Sequence, residues 1–173
     1  KYISGGATSL GGVVIDYGTP YHGDFAKRLY GEMLFNFGAY MTPQVAYMQT
    51  IGLETLDARY RVQSSNALEL AQWLERQPQV ARVYYPGLAS HPQHELARRQ
   101  MRGYGGMISL DLNTDLAGSR RFLENVRIFA LAESLGGVES LVSQPYSMTH
   151  ASIPLEQRLA NGIVPQLIRL SVG

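Results

Sequence analysis

The stretch GGMISLDLN, residues 105–113, alternates two kinds of side chain and decides the fold class. One set is apolar: Ile108, Leu110 and Leu112. The other set lies between them: Met107, Ser109 and Asp111. Successive side chains of a strand point to opposite faces of the sheet, so this alternation is typical of a half-buried strand. We therefore predict a sheet with one face against a core.

Short apolar runs on both sides of this stretch predict the rest of the sheet. They are VARVYYP (80–86), IFALA (128–132), SLVSQP (140–145) and LIRLSVG (167–173). Between them, residues 92–101 and 114–126 have the composition of helices, the second opened by Thr114 as its N-cap. This order predicts an α+β domain with a mostly antiparallel sheet and helices on one face.

The first part of the chain has a different character. GVVIDY at 12–17 reads as a strand, and Asp24 is a possible cap for a helix over FAKRLYGEML. Thr42 and Pro43 suit the start of another helix, for which Gly52 marks the end. A long periodic segment from residue 53 to Pro78 predicts one helix. We place a domain boundary there, with residues 1–52 too few and too rich in glycine for a complete domain and residues 53–173 forming a small α+β domain.

Composition excludes several classes of function. The 173 residues carry 15 Lys and Arg against 14 Asp and Glu, which gives no reason to expect nucleic acid or an acidic membrane as a partner. Cysteine is absent, which excludes disulfides and thiolate metal sites. No apolar run is long enough to span a bilayer, and we expect no signal peptide. These features predict a cytoplasmic protein.

Two kinds of residue invite a functional reading. Arg169 lies within an apolar run and needs an anionic partner if it is buried, either a structural carboxylate or a ligand. His91 and His94 have the spacing of a helical metal pair, but Pro92 separates them and no third ligand is near. The remaining histidines are isolated: His22 and His150. We predict no metal site.

Three glycine-containing segments together resemble one family. They are KYISGGATSLGGVVID (1–16), FALAESLGGVESLVSQPYSMTHASIP (129–154) and PQLIRLSVG (165–173). They resemble the pyridoxal phosphate enzymes of cysteine and methionine metabolism: cystathionine γ-synthase, cystathionine γ-lyase, methionine γ-lyase and the homoserine-ester sulfhydrylases. The resemblance implies the α/β architecture of fold-type I, the aspartate aminotransferase-like fold. It also implies that this chain is a fragment, with the end of the large cofactor domain followed by the small domain.

The resemblance implies a role for four residues. Lys1 falls on the lysine that bonds covalently to pyridoxal phosphate and moves protons during the reaction. Arg169 and Ser134 fall on the groups that bind the substrate α-carboxylate, and Glu133 falls near the distal part of the substrate. Many members have Gly-His-Gly shortly after the lysine, whereas Gly6 stands here at the histidine position. This departure affects the assignment of subfamily, not the assignment of Lys1 or Arg169.

The expected activity is γ-replacement on an O-acylated homoserine, with Glu133 as the feature that favours it. Because γ-lyases share that glutamate, γ-elimination is the alternative, and a non-catalytic, dimerising module is the alternative of a different class. The resemblance further implies an amino-acid substrate and a homotetramer built as a dimer of dimers. We expect the apolar segment at residues 29–41, with Leu34, Phe35 and Phe37, to help fill an interface.

Overall fold

Five strands form a single sheet in the computed structural model, which describes residues 1–18 and 24–173. The strands are β1 (Val80–Tyr84), β2 (Met107–Leu112), β3 (Ala130–Leu131), β4 (Leu141–Ser143) and β5 (Leu167–Ser171). Their order in the sheet is β1-β2-β5-β4-β3, and only the β3–β4 pair is parallel. The predicted, mostly antiparallel sheet is confirmed. His22 lies outside the described residues.

The register of the strands separates an apolar face from a polar one. On the apolar face, Leu110 of β2 pairs with Val83 of β1 and with Ile168 of β5. These three side chains are buried, and β2 shows the predicted alternation of buried and half-buried residues along its length. Ser109 pairs with Arg169 on the opposite face. The alternation read from residues 105–113 is therefore correct.

Helices cover the apolar face and complete the core. The helices are α1 (Phe25–Arg28), a π-helix (Leu29–Leu34), α2 (Phe35–Phe37), α3 (Pro43–Glu54), α4 (Leu56–Leu74), α5 (His94–Gln100), α6 (Leu116–Asn125) and α7 (Leu155–Ala160). Ala67, Ala71 and Leu74 of α4 are buried in one cluster with the apolar strand residues. Phe122 and Leu123 of α6 pack against the same cluster. Burial of this stripe is what holds α4 on the sheet.

The helix boundaries differ from the prediction in the middle of the chain. The helix expected from residue 53 to Pro78 is α4, but it begins after Thr55 because α3 continues to Glu54, and it ends at Leu74. Gly52 is therefore inside α3 and does not end it. Thr42 is confirmed as an N-cap, since its Oγ1 accepts a hydrogen bond from the Val45 amide.

One predicted cap is wrong, and a second, Asp24, is at the N-cap of α1 but lacks the expected side-chain bond. Asp115, not Thr114, caps α6, and its carboxylate accepts a bond from the Gly118 amide at 2.8 Å. The Asp24 side chain makes no capping hydrogen bond to α1. A β-region backbone at Asp115 lets its side chain reach back to the free amides of the first turn.

The strand expected at residues 12–17 does not form. These residues have no regular secondary structure, and the side chains of Val13, Val14 and Ile15 are all more than two-thirds exposed. A strand is stabilised by hydrogen bonds to a neighbour, and residues 1–18 and 24–173 place no strand beside this segment. The β-branched composition alone was therefore a misleading signal here.

Two negative findings apply to the described ranges. None of the helices there combines the length and the apolar character that crossing a bilayer requires. Across residues 1–18 and 24–173, no group of three histidine or acidic side chains is arranged to hold a metal ion.

Candidate functional site

The chain opens with a tight turn that presents Lys1. The Gly5 amide donates a hydrogen bond to the Lys1 carbonyl at 2.9 Å, which closes the turn. The Arg59 guanidinium of α4 donates to the carbonyls of Tyr2 and Gly52, each at 2.8 Å. One side chain thus ties the turn to both α3 and α4, so the backbone that carries Lys1 is fixed by tertiary contacts.

Gly52 allows this turn to approach α3 closely. A Cβ atom at Gly52 would lie 2.2 Å from the Ile3 carbonyl oxygen and 2.4 Å from the Ser4 carbonyl carbon. No side chain fits in that space. Glycine is disfavoured inside a helix by about 1 kcal/mol relative to alanine, so its presence here reflects packing against the turn.

The Lys1 ammonium forms an ion pair with Glu139. Nζ donates to Oε1 across 138 positions of sequence, and 21% of the Lys1 side chain and 41% of the Glu139 side chain are exposed. The hydrogen bond from Lys1 is the main cause that lowers the pKa of the Glu139 carboxyl below its usual value. Glu139 is therefore an anion at neutral pH, held against the Lys1 amine.

The loop between β3 and β4 carries both Ser134 and Glu139. The Gly136 amide donates to the Ser171 hydroxyl of β5 at 2.9 Å, in the buried interior. Gln63 of α4 donates its amide to the Gly137 carbonyl at 2.8 Å. The loop is thus tied to the strand that contains Arg169 and to the helix that holds the Lys1 turn.

A cavity of about 960 Å³ lies beside Lys1. Most of its wall comes from residues 1–13, and Met41, Gln49 and Leu53 complete it together with Ser134. Lys1 and Ser134 therefore meet at one cavity although they lie far apart in sequence. Glu133 is exposed beside Ser134 and does not line the cavity.

Arg169 occupies the centre of the polar face. It pairs with Ser109 of β2 and with Ser143 of β4, and it is half-buried but does not line the cavity of Lys1. Within the described ranges, no acceptor lies in hydrogen-bonding or ion-pair distance of its guanidinium. The Ser143 hydroxyl beside it is buried and also lacks a partner there. No carboxylate of residues 1–18 and 24–173 pairs with Arg169, so among these residues its planar set of N–H donors is available to an anion.

Sequence reasoning missed several residues that build this site. Glu139 contacts Lys1 directly, and Arg59 and Gln63 fix the two segments that meet. The available signal for Glu139 was a carboxylate in a glycine-rich loop, GGVES, outside any helical pattern. Arg59 gave no signal, because an arginine on a helix is usually exposed and solvated.

Comparisons with known proteins agree on the family. The whole chain, residues 1–173, matches the family described as Cys/Met metabolism PLP-dependent enzyme. The chain is 47% identical over 173 residues to the cystathionine beta-lyase of Coxiella burnetii, covering all of this chain and 44% of that protein. It is 46% identical over 176 residues to the cystathionine gamma-lyase of Dictyostelium discoideum, covering all of this chain and 43% of that protein.

A solved structure supports the fold. The crystal structure of cystathionine gamma synthase from Xanthomonas oryzae in complex with cystathionine superposes with a TM-score of 0.86 at 43% identity, covering all of this chain and 43% of that chain. The neighbour is a fold-type I enzyme, so the predicted fold class is confirmed. The chain spans less than half the length of the relatives it matches. The chain belongs to the pyridoxal phosphate-dependent enzymes of cysteine and methionine metabolism, the trans-sulfuration family.

Proposed function

We propose that the intact protein uses pyridoxal phosphate, held by Lys1, to break a C–S bond of a cystathionine-type amino acid. The observation that carries this proposal is the position of Lys1, whose amine lies at the wall of a large cavity that Ser134 also lines. A lysine held in this way is unusual, because most lysines are solvated on the surface. Its half-buried amine is suited to covalent catalysis on a carbonyl compound.

The described residues fit this cofactor. A volume of about 960 Å³ lies at the upper end of the range of small-molecule sites, roughly 300–1,000 Å³. The cavity wall combines apolar residues with the hydroxyl-bearing Ser4, Thr8 and Ser9. When bound, pyridoxal phosphate supplies an electron sink that stabilises a carbanion next to the amino group of a substrate. We propose that Lys1 bonds to it through Nζ.

We assign further roles to four residues of this chain. Arg169 binds the substrate α-carboxylate through two parallel hydrogen bonds, since its guanidinium lacks any partner in residues 1–18 and 24–173. Ser134 supports the same carboxylate from a loop that is tied to the strand of Arg169. Lys1, once released, accepts a proton from one carbon of the substrate and returns it at another. Glu133 lies near the distal part of the substrate.

Two reactions are candidates: cleavage of a C–S bond and γ-replacement. Cleavage is favoured by two relatives with 47% and 46% identity, both of which are cystathionine lyases. The sequence-based prediction, γ-replacement on an O-acylated homoserine, remains the second candidate. It is supported by the similarity to a cystathionine gamma synthase at 43% identity. A thioether amino acid is the substrate of cleavage and the product of γ-replacement with cysteine. Both reactions require a group such as arginine to bind the α-carboxylate.

Two assays test this proposal. In the intact protein, the change Lys1→Ala should remove the visible absorbance of the lysine-bound cofactor and abolish turnover, whereas Lys27→Ala should change neither. An unchanged spectrum in the Lys1 variant would refute the assignment.

Supplying cystathionine alone should release a 2-oxo acid, and a three- or four-carbon product identifies which C–S bond breaks. Formation of cystathionine from an O-acylated homoserine and cysteine, without release of a 2-oxo acid from cystathionine, would favour γ-replacement instead.

We also propose that residues 1–52 and 53–173 belong to two different domains. We further propose that the intact protein assembles into a homotetramer in the cytoplasm. Phe35 and Phe37 of α2 are 87% and 77% exposed, which is unusual for large aromatic side chains and supports an interface at residues 29–41. Sedimentation of the intact, active protein tests the assembly. A strictly monomeric active species would contradict it.

A further inference from the structure

We propose that Glu139 is a positioning residue for Lys1, one that holds the ammonium at the cavity wall whenever Lys1 is not bonded to the cofactor. This inference rests on the proposed role of Lys1. It assigns a task to a carboxylate that neither the composition nor the family motifs singled out. The ion pair between Nζ and Oε1 is its first support.

The backbone under the Glu139 carboxylate is shaped to receive it. A Cβ atom at Gly137 would lie 2.1 Å from the Glu139 Oε2 and 2.5 Å from its Cδ. Any side chain at residue 137 would therefore displace the carboxylate from Lys1. Gly137 is buried, and the partly exposed Glu139 side chain folds back over its own loop so that its carboxylate lies against the Gly137 backbone.

The loop is anchored on both sides of Glu139. Before it, Gln63 donates to the Gly137 carbonyl at 2.8 Å in the buried interior. After it, the Ser140 hydroxyl accepts a bond from the Gly173 amide at 3.1 Å, at the end of β5. These bonds fix the loop to α4 and to the sheet, so the carboxylate has a defined position relative to the Lys1 turn.

The pairing has a chemical consequence for a lysine that must leave and rejoin the cofactor. A released amine on a flexible four-carbon chain samples many positions, whereas a charge partner restricts it to one side of the cavity. Glu139 is the one carboxylate within ion-pair distance of Lys1 among residues 1–18 and 24–173. Its removal should free the Lys1 nitrogen to move and to react.

The test measures the reactivity of Lys1 in the intact protein freed of its cofactor. Trinitrobenzenesulfonate at limiting concentration modifies amines, and mass spectrometry reports the rate at Lys1 relative to Lys27, an exposed lysine that serves as an internal reference. The change Glu139→Gln keeps the size and the oxygen acceptor of the side chain but removes its charge. We expect the ratio of the modification rate at Lys1 to that at Lys27 to rise by about two- to fivefold. This is the change in an equilibrium that loss of a partly exposed ion pair typically produces.

Two further variants separate positioning from a general effect. Gly137→Ala retains both charged residues but displaces the carboxylate, so it should raise the same ratio. Glu133→Gln removes a nearby charge that does not contact Lys1, so it should leave the ratio unchanged. An unchanged ratio in Glu139→Gln, or an equal rise in Glu133→Gln, would overturn the proposal. No cofactor or substrate enters this assay, so its outcome is independent of the absorbance test of Lys1→Ala.

Discussion

The close contact between Gly52 and the Lys1 turn makes a quantitative prediction for Gly52→Ala. The added Cβ would meet the Ile3 oxygen at 2.2 Å and the Ser4 Cα at 2.6 Å, both of which are backbone atoms. Normal contacts between such atoms are about 3.5 Å, so the turn would have to retreat by about 1 Å. A flexible side chain cannot relieve this clash by changing rotamer.

Two opposing terms set the effect on stability. Alanine is favoured over glycine inside a helix by about 1 kcal/mol. Overpacking of a close contact costs about 1–3 kcal/mol. We expect a net loss of about 1 kcal/mol, with Arg59 able to keep only one of its two bonds to Tyr2 and Gly52.

The effect on activity should be larger than the effect on stability. A displacement of about 1 Å at a reacting group can lower the rate by about 100-fold. We therefore expect kcat/KM of the intact enzyme to fall by about that factor, while the urea midpoint shifts only slightly.

The matched control is Gly31→Ala in the π-helix, where the added Cβ would have no atom of the described residues within 4 Å apart from its chain neighbours and the backbone of its own helix. It should equal the native protein in stability or exceed it. If Gly52→Ala matched the native protein in both kcat/KM and urea midpoint, the turn would not be held as described.

Three other predictions concern charged and hydrogen-bonded groups. Arg169→Lys should lower kcat/KM by at least about tenfold with an unchanged cofactor spectrum, because a point charge cannot form two parallel bonds; near-normal kinetics would contradict the carboxylate role. Tyr84→Phe should cost about 1–3 kcal/mol in urea unfolding, because the hydroxyl bonds Asp111 Oδ2 at 2.6 Å while Oδ1 is already without a partner in the described part of the chain. That bond raises the pKa of Tyr84. Its contribution to the free energy of unfolding should therefore be present below the ordinary tyrosine pKa of 10.0 and be lost at higher pH. The pKa of Glu139 is lowered, so the contribution of its ion pair with Lys1 to the free energy of unfolding should be present above the ordinary glutamate pKa of 4.5 and be lost as the pH falls below it. If the stability of Glu139→Gln and of the native protein fell equally in acid, the ion pair would be contradicted.

Local patterns in the sequence determined the strands of the sheet and several ends of elements. The alternation around Leu110 predicts a half-buried strand because a pleated chain has a period of two residues. Thr42 is predictable as a cap because a capping hydroxyl needs to reach an amide only two or three residues away, as it does at Val45. The motifs around Lys1, Ser134 and Arg169 are sufficient by themselves to indicate the family.

Contacts between distant segments were decided only by the tertiary structure. The pairing of Lys1 with Glu139 joins residues 138 positions apart, and nothing in either local sequence encodes it. Gly52 looked like the end of a helix, yet it lies inside one because the Lys1 turn packs there. Residues 12–17 have the composition of a strand but stay irregular, since no strand of the described ranges lies beside them. Composition sets what a segment can form, and the neighbours that packing brings to it decide what it does form.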